Sequence, residues 1–304
     1  MPIIETVKAN KTLQGILWMV VTGWLFVFVT GFVRYLGSDL PAAEAAFIRY
    51  AFGLVLVLPA LFKVFRSSIS VSLHLALGFR GFVHALAIIF WFYAMARIPV
   101  AEVTAIGYTS PIFVTIGAAF FLGEKFKLRR VMAVLAGFVG AIVILRPGFQ
   151  EVGTGQLAQL IAAPLFAISF IITKKLTGKI EPIAIVAMLS LYCPLVLAPF
   201  AFSVWVTPSM EELILLLLTA VFATVGHITM TLAIKCAPLT VTQPVGLLQL
   251  VWASLLGLLV FNEALDPWVL LGGGIIVVAA TYISHREAVE SRKEITPPAA
   301  ATKI

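Results

Sequence analysis

The chain has 304 residues, of which 61% are hydrophobic and only 12% are charged, and its mean hydropathy is +1.08. A soluble domain carries about twice that share of charged residues, so the composition excludes a soluble protein and indicates that lipid surrounds most of the chain. The formal net charge is +7, but the basic residues lie in separate short loops between apolar segments and not on one soluble face. This distribution argues against nucleic acid as a partner.

Ten apolar segments follow one another along the chain. Each has about 20 residues, which is the length of a membrane-spanning helix and too long for a barrel strand. They predict an all-α integral membrane protein with ten transmembrane helices. The segments in chain order are 13–33, 42–62, 73–96, 100–122, 130–146, 155–173, 182–204, 212–234, 239–261 and 268–284. The polar residues 286–304 that follow predict a disordered cytoplasmic tail.

The positions of Lys and Arg indicate how these segments are oriented. If the N-terminus is cytoplasmic, only Arg34, Arg97 and Arg146 lie in outside stretches, while Arg49 and Arg80 lie within spans. All the other Lys and Arg residues then lie in inside stretches, and cytoplasmic loops are the ones that carry such an excess. We therefore expect a multi-pass protein of the bacterial inner membrane with both termini in the cytoplasm.

The second half of the sequence repeats the first at a shift of about 140 residues, which predicts two five-helix units, 1–150 and 151–285. The aligned pairs include Gly15 with Gly155, Pro59 with Pro199, Gly107 with Gly246, and Glu124 with Glu263. An odd number of spans in each copy inserts the second copy upside down. The sequence therefore predicts an inverted repeat around a central cavity, the arrangement that supports alternating access in transporters.

Several short motifs resemble the EamA-type branch of the drug/metabolite transporter superfamily. The first half carries ARIPVAE at 96–102, Ser110-Pro111 and FLGE at 121–124, and the second half echoes them in Ala237-Pro238 and Asn262-Glu263. The resemblance covers nearly the whole chain. It implies a basket in which helices 1, 3, 4, 6, 8 and 9 surround the cavity and helices 5 and 10 lie at the periphery. The first half is also similar to bacterial members that take up S-adenosylmethionine or riboflavin.

The second copy departs from the first at positions that bear on the cavity. Its segment 237–240 lacks an acid matching Glu102, and Pro244 and Gln249 have no counterparts in the first copy. We therefore expect the two halves of the cavity to differ chemically, and the resemblance implies that this difference encodes substrate identity.

Polar and aromatic residues within spans are the candidates for substrate binding. Arg80 and His84 lie one helical turn apart on one face, so they predict contacts with an anionic or flat cargo. Two alternatives stay open: Arg80 could reach the cytoplasmic interface, and His84 could bond a neighbouring helix. A flat heterocycle would also use stacking surfaces and amide donors. The further substrate-binding candidates are Trp91, Tyr108, His227, Gln249 and Trp252.

A second set of residues is predicted to be structural or gating. Arg49 lies near the outer end of helix 2, where no acid of that helix can pair with it, so we expect an ion pair with another element. Glu124 and Glu263 end equivalent helices at opposite faces and predict a clasp at each face, with solvated loop acids as the alternative. Pro111 and Pro244 interrupt helices 4 and 9, either as hinges or as tolerated kinks.

Together these features predict a secondary transporter that moves a small metabolite across the lipid bilayer by alternating access. The sequence has no phosphate-binding loop for ATP, and we predict no cofactor and no metal site. The rival classes are an integral-membrane enzyme and a non-transporting scaffold. An enzyme would need clustered catalytic groups, whereas the two aspartates, Asp39 and Asp266, both lie in outside loops. The cargo, its direction, the coupling ion and the choice between monomer and homodimer stay open.

Overall fold

The computed structural model describes residues 2–66, 70–110, 112–113, 128–146, 151–177, 179–236, 245–246 and 248–295, and its regular secondary structure is entirely helical within them. Each helix overlaps one of the apolar segments predicted from the sequence. The helices in chain order are α1 (Pro2–Leu36), α2 (Ala42–Phe65), α3 (Val71–Met95), α4 (Val100–Gly107), α5 (Leu128–Leu145), α6 (Thr154–Thr177), α7 (Pro182–Ser203), α8 (Met210–Cys236), α9 (Leu248–Val260) and α10 (Pro267–Ile295).

Six of the described helices are long and apolar enough to cross a membrane, namely α1 from Leu13 onward, α2, α3, α6, α7 and α8. Shorter apolar stretches occur at Leu135–Leu145, Leu248–Val260 and Pro267–Ala279. The predicted spans 100–122 and 239–261 lie partly outside the described residues. The described part of the chain is therefore all-helical and that of a multi-pass membrane protein, and the count of ten spans stays a prediction.

Helix α10 begins at a well-defined cap and runs further than predicted. The Asp266 carboxylate accepts a hydrogen bond from the Trp268 backbone N–H at 2.8 Å, and Pro267 occupies the first helical position. At the other end, residues 286–295 of the predicted disordered tail are helical. That stretch is rich in Arg, Glu and Lys, which favour helix, whereas our prediction considered only its polarity. Residues 296–304 lie outside the described part.

Helices of the first half pack antiparallel against helices of the second half. α1 packs against α8, α3 against α6, α2 against α7 and α5 against α10. The direction is visible at the helix ends: Tyr35 at the end of α1 lies 3.4 Å from Glu211 at the start of α8, measured between side-chain oxygens. Likewise, the Tyr93 hydroxyl at the end of α3 donates to Thr154 at the start of α6.

The main hydrophobic core draws buried residues from each of the ten described helices. Four of them, α2, α3, α4 and α9, contribute alanines that are at most 1% exposed: Ala45, Ala85, Ala105 and Ala253. Small side chains let helix backbones come close, which is how helices gain packing contacts when lipid supplies no hydrophobic drive between them. Next to this close-packed region the helices enclose an open space.

Candidate functional site

A cavity of about 420 Å³ lies among α1, α2, α3, α4, α6, α8 and α9. The family resemblance implied that six of these helices surround a cavity. The structure adds a seventh, α2, which contributes Arg49. Six of the seven residues predicted to bind substrate line this cavity, namely Arg80, His84, Trp91, Tyr108, His227 and Gln249. Their side chains come from four different helices, so the fold brings together residues that are far apart in the sequence.

Arg80 is buried in the wall of the cavity, with only 4% of its surface exposed. Its Nη1 donates a hydrogen bond to the Ile185 carbonyl oxygen of α7 at 3.1 Å, and its buried Nε has no hydrogen-bond partner. A side chain that reaches for the membrane interface keeps its charged head in water, which is not the arrangement seen here. The guanidinium group is instead held between helices and available to the cavity.

His84 of α3 and His227 of α8 both line the cavity and contact each other. Their ring centroids lie 5.7 Å apart in an edge-to-face arrangement, and Phe166 of α6 lies 5.2 Å from the His84 ring. The His84 Nδ1 is 3.1 Å from the Ser169 hydroxyl, so His84 does bond a neighbouring helix while it lines the cavity. His84 Nε2 and His227 Nδ1 are buried without a hydrogen-bond partner. Both rings therefore line the cavity, while these two nitrogens are buried.

Tyr108 and Gln249 line the cavity beside the junction of α4 and α9, but Trp252 does not. The Tyr108 hydroxyl donates to the Gly246 carbonyl oxygen at 2.9 Å. Trp252 lies three residues after Gln249 and is therefore rotated about 60° around the helix, away from the cavity. Its ring packs against Trp24 of α1, with the ring centroids 4.6 Å apart.

Arg49, which we expected in an ion pair, lines the cavity instead. Its guanidinium carbon lies 3.8 Å from the centre of the Tyr50 ring, a cation–π contact. No ion pair of Arg49 is found among the residues that the structure describes. The nearby acid of α2, Glu44, accepts a hydrogen bond from the Val206 backbone N–H at 2.9 Å. Arg49 is thus a cavity residue that sequence reasoning assigned to another role.

Glu263 ties four helix ends together at one face of the protein. Its Oε1 lies 2.8 Å from Arg34 Nη2, and its Oε2 accepts a hydrogen bond from the Val100 backbone N–H at 2.9 Å. Arg34 Nη1 also donates to the Met95 carbonyl oxygen at 3.1 Å. These bonds join the ends of α1, α3 and α9 to the start of α4. We call this set of four residues the Glu263 clasp.

The backbone after α9 directs Glu263 into this clasp. Asn262 has a φ of 52°, in the left-handed region that asparagine tolerates better than most residues. The turn brings the Glu263 N–H back to the Gly257 carbonyl oxygen at 2.9 Å. The other predicted gating residues, Pro111, Glu124 and Pro244, lie outside the described residues.

One face of α6 contributes cavity residues that sequence reasoning missed. Gln159, Phe166, Ser169, Phe170 and Thr173 all line the cavity. Their spacing of seven, three or four, and three or four residues is that of one helical face. A search for polar residues at helical period within the apolar segment 155–173 could have found this face.

The cavity chemistry suits reversible binding. None of the described lining residues is Asp or Glu, and within the described part no group of three or more His, Cys, Asp or Glu could hold a metal ion. The polar lining atoms come instead from guanidinium, imidazole, amide and hydroxyl groups beside aromatic rings. Such a site can recognise a ligand by charge and shape.

Comparisons with known proteins identify the family and the fold of this chain. The model of the EamA-like transporter family matches twice, over residues 13–146 and 153–285. The riboflavin transporter of Rhizobium johnstonii is 31% identical over 290 residues, covering 94% of this chain and 96% of that protein. The S-adenosylmethionine uptake transporter of Rickettsia bellii is 29% identical over 262 residues, covering 86% and 90%. A solved crystal structure shares the fold, with a TM-score of 0.59 at 16% identity over 92% of this chain and 99% of that one. The chain therefore belongs to the EamA-like transporter family and is a membrane transporter.

Proposed function

We propose that this transporter moves a small metabolite by exposing its central cavity alternately to the two sides of the membrane. The observation that carries the proposal is the cavity of about 420 Å³, which has the size and mixed polar and aromatic lining of a small-molecule site. The names of its relatives, a riboflavin transporter and an S-adenosylmethionine uptake transporter, support a metabolite as cargo. In such a transporter the residues that line the cavity bind the cargo and do not convert it chemically.

The antiparallel helix pairs support an inverted repeat as the basis of alternating access. The sequence repeat relates α1 to α6 and α3 to α8, so the pair α1–α8 is equivalent to the pair α6–α3. The pairs α2–α7 and α5–α10 each join a helix to its own repeat equivalent. The Tyr108 bond to Gly246 also fits, because Gly107 and Gly246 are equivalent in the repeat. Two nearly equivalent halves supply two nearly equivalent conformations.

Within this scheme the Glu263 clasp is the gate at the outer face. Its ion pair and backbone hydrogen bonds hold together α1, α3, α4 and α9, the helices that surround the cavity at that end. The inverted repeat assigns the opposite gate to Glu124, which is equivalent to Glu263. Opening one gate while the other is closed would move the cargo across.

The test is to block the cavity with a bulky side chain. Ala223 lines the cavity and is 2% exposed, so Ala223→Trp places an indole ring where the cargo would bind. Val225 lies on the same helix and is 43% exposed, so Val225→Trp is the matched control. The melting temperature of the purified wild-type protein is first measured in the presence of each compound of a metabolite library that includes S-adenosylmethionine, riboflavin and amino acids. Compounds that raise the melting temperature are then tested for transport in proteoliposomes.

We expect Ala223→Trp to abolish both the ligand-induced melting shift and transport, and Val225→Trp to retain both. The unliganded melting temperature of each variant shows whether it is folded. Undiminished transport by a folded Ala223→Trp variant would show that the cargo does not pass through this cavity.

A further inference from the structure

Two buried arginines line the cavity, and none of the carboxylates in the described part of the chain does. Arg49 and Arg80 are 3% and 4% exposed, and none of the described residues that line the cavity with them is Asp or Glu. A charged group in apolar surroundings is costly unless it has polar contacts, and a group of opposite charge is the strongest such contact. The ion pairs of the described part lie elsewhere, between Arg34 and Glu263, Lys63 and Glu181, and Arg146 and Asp266.

Both guanidinium groups are held in place on the cavity wall. Arg80 donates from Nη1 to the Ile185 carbonyl oxygen while its Nε is buried, and Arg49 lies over the Tyr50 ring. Arginine has five N–H donors in a planar fork that matches the oxygens of a carboxylate or a phosphate. Two such groups in one cavity provide a site for an acidic group.

The aromatic rings lie beside these arginines. The Tyr50 ring that contacts Arg49 is also 6.2 Å, centroid to centroid, from the His84 ring, which in turn faces His227. His84, His227 and Phe166 line the cavity, so a planar group can pack against their rings, whereas Tyr50 is 1% exposed and does not line it.

We propose that the cargo is an acid with a flat aromatic or heteroaromatic ring. Its carboxylate or phosphate binds Arg49 and Arg80, and its ring packs beside His84 and His227. The inference rests on the proposed function and narrows its substrate class. A neutral compound would leave both guanidinium groups without a counter-charge, whereas an acid supplies the charge and the acceptor oxygens together.

The test compares acids with neutral partners that carry the same ring. One pair is indole-3-acetate and indole-3-acetamide, and the other is riboflavin 5′-phosphate and riboflavin, so the two pairs distinguish carboxylate from phosphate. Dissociation constants come from melting shifts of the purified full-length chain in a neutral detergent. In at least one pair we expect the acid to bind about tenfold more tightly than its neutral partner, or better, because hydrogen bonds between charged groups are the strong ones.

Variants then locate this preference in the cavity. Arg49→Gln and Arg80→Gln keep a hydrogen-bond donor but remove the charge, so each is expected to lose most of the preference for the acid. Arg97→Gln is the matched control, because Arg97 also lies over a tyrosine ring, that of Tyr93, at 3.6 Å, but outside the cavity. Arg97→Gln is expected to keep the preference of the wild type.

Three results would overturn the inference. The first is that, in both pairs, the neutral partner binds as tightly as the acid; the proposed function would then stay intact, because the cavity would still bind a metabolite. The second is that neither acid binds. The third is that Arg97→Gln loses as much of the preference for the acid as Arg49→Gln does. A different result would contradict the proposed function itself: transport by the Ala223→Trp variant, in which the indole ring fills the cavity.

Discussion

A buried arginine in a membrane protein is stabilised by contacts with polar groups or aromatic rings. Arg80 and Arg49 make contacts of different kinds. Arg80 bonds the Ile185 carbonyl oxygen of a neighbouring helix, while Arg49 lies on an aromatic face. An arginine at a helix centre costs about 2.5–3.5 kcal/mol on insertion scales, so two of them are unfavourable for stability alone. Their shared position on the cavity wall is the reason to assign them to cargo recognition.

Glu263 allows a prediction about gating at the level of one residue. Glu263→Gln keeps an acceptor for the Val100 N–H but removes the charge that pairs with Arg34. A partly exposed ion pair contributes up to about 1 kcal/mol, or about a fivefold change in an equilibrium, so the outer face should open more often. The measurement is the labelling rate, from the outer side, of a cysteine introduced by Thr104→Cys in the cavity, with both native cysteines replaced.

The control for this variant is Glu211→Gln, which changes an exposed acid at the same face. We expect Glu211→Gln to leave the labelling rate unchanged. Equal labelling rates in Glu263→Gln and the parent protein would show that the Glu263 clasp does not limit opening.

At the level of helices, α5 and α10 pack through glycine. A Cβ added to Gly140 would lie 2.7 Å from the Gly272 carbonyl oxygen and 2.7 Å from Ile276 Cγ1. The run Gly272–Gly274 of α10 and the glycines of α5 are small residues of the kind that let membrane helices pack closely. The contact identifies Gly272 as the glycine of that run that faces α5, whereas Gly274 faces open space.

We therefore predict that Gly140→Val destabilises the protein without altering cargo selectivity. The added side chain meets backbone atoms, and overpacking of this kind typically costs about 1–3 kcal/mol. Neither α5 nor α10 lines the cavity in the described residues, so the ratio of acid to neutral binding should stay that of the wild type. Thermal melts should show a lower melting temperature for Gly140→Val and an unchanged one for the control Gly274→Val. A drop of equal size in both variants would contradict the glycine contact between α5 and α10.

For the whole molecule, the distribution of charge predicts the orientation in the membrane. Arg34 and Arg146 lie at one face, paired with Glu263 and Asp266, while Lys63 pairs with Glu181 at the other. Because cytoplasmic loops carry the excess of Lys and Arg, the face with Lys63 should be cytoplasmic and both termini should lie on that side. A fluorescent protein fused to the C-terminus should therefore be bright, and alkaline phosphatase fused there should be inactive. An active phosphatase fusion would contradict the count of ten spans.

The sequence by itself determined the membrane environment, the helical class, the family resemblance and six of the residues that line the cavity. Apolar runs of this length have few alternatives in lipid, where every backbone polar group must be satisfied within the segment. Mid-span polar residues such as Arg80, His84 and His227 stood out for the same reason, since lipid penalises them.

Only the tertiary structure decided which way each helix faces. Trp252 and Gln249 lie three residues apart in one apolar segment, yet Gln249 lines the cavity while Trp252 packs on Trp24. Arg49 lines the cavity because the rotation of α2 directs it there and no described acid pairs with it. The rotation of a helix about its axis depends on packing against helices distant in the sequence, and a nearly uniform apolar segment carries little record of it.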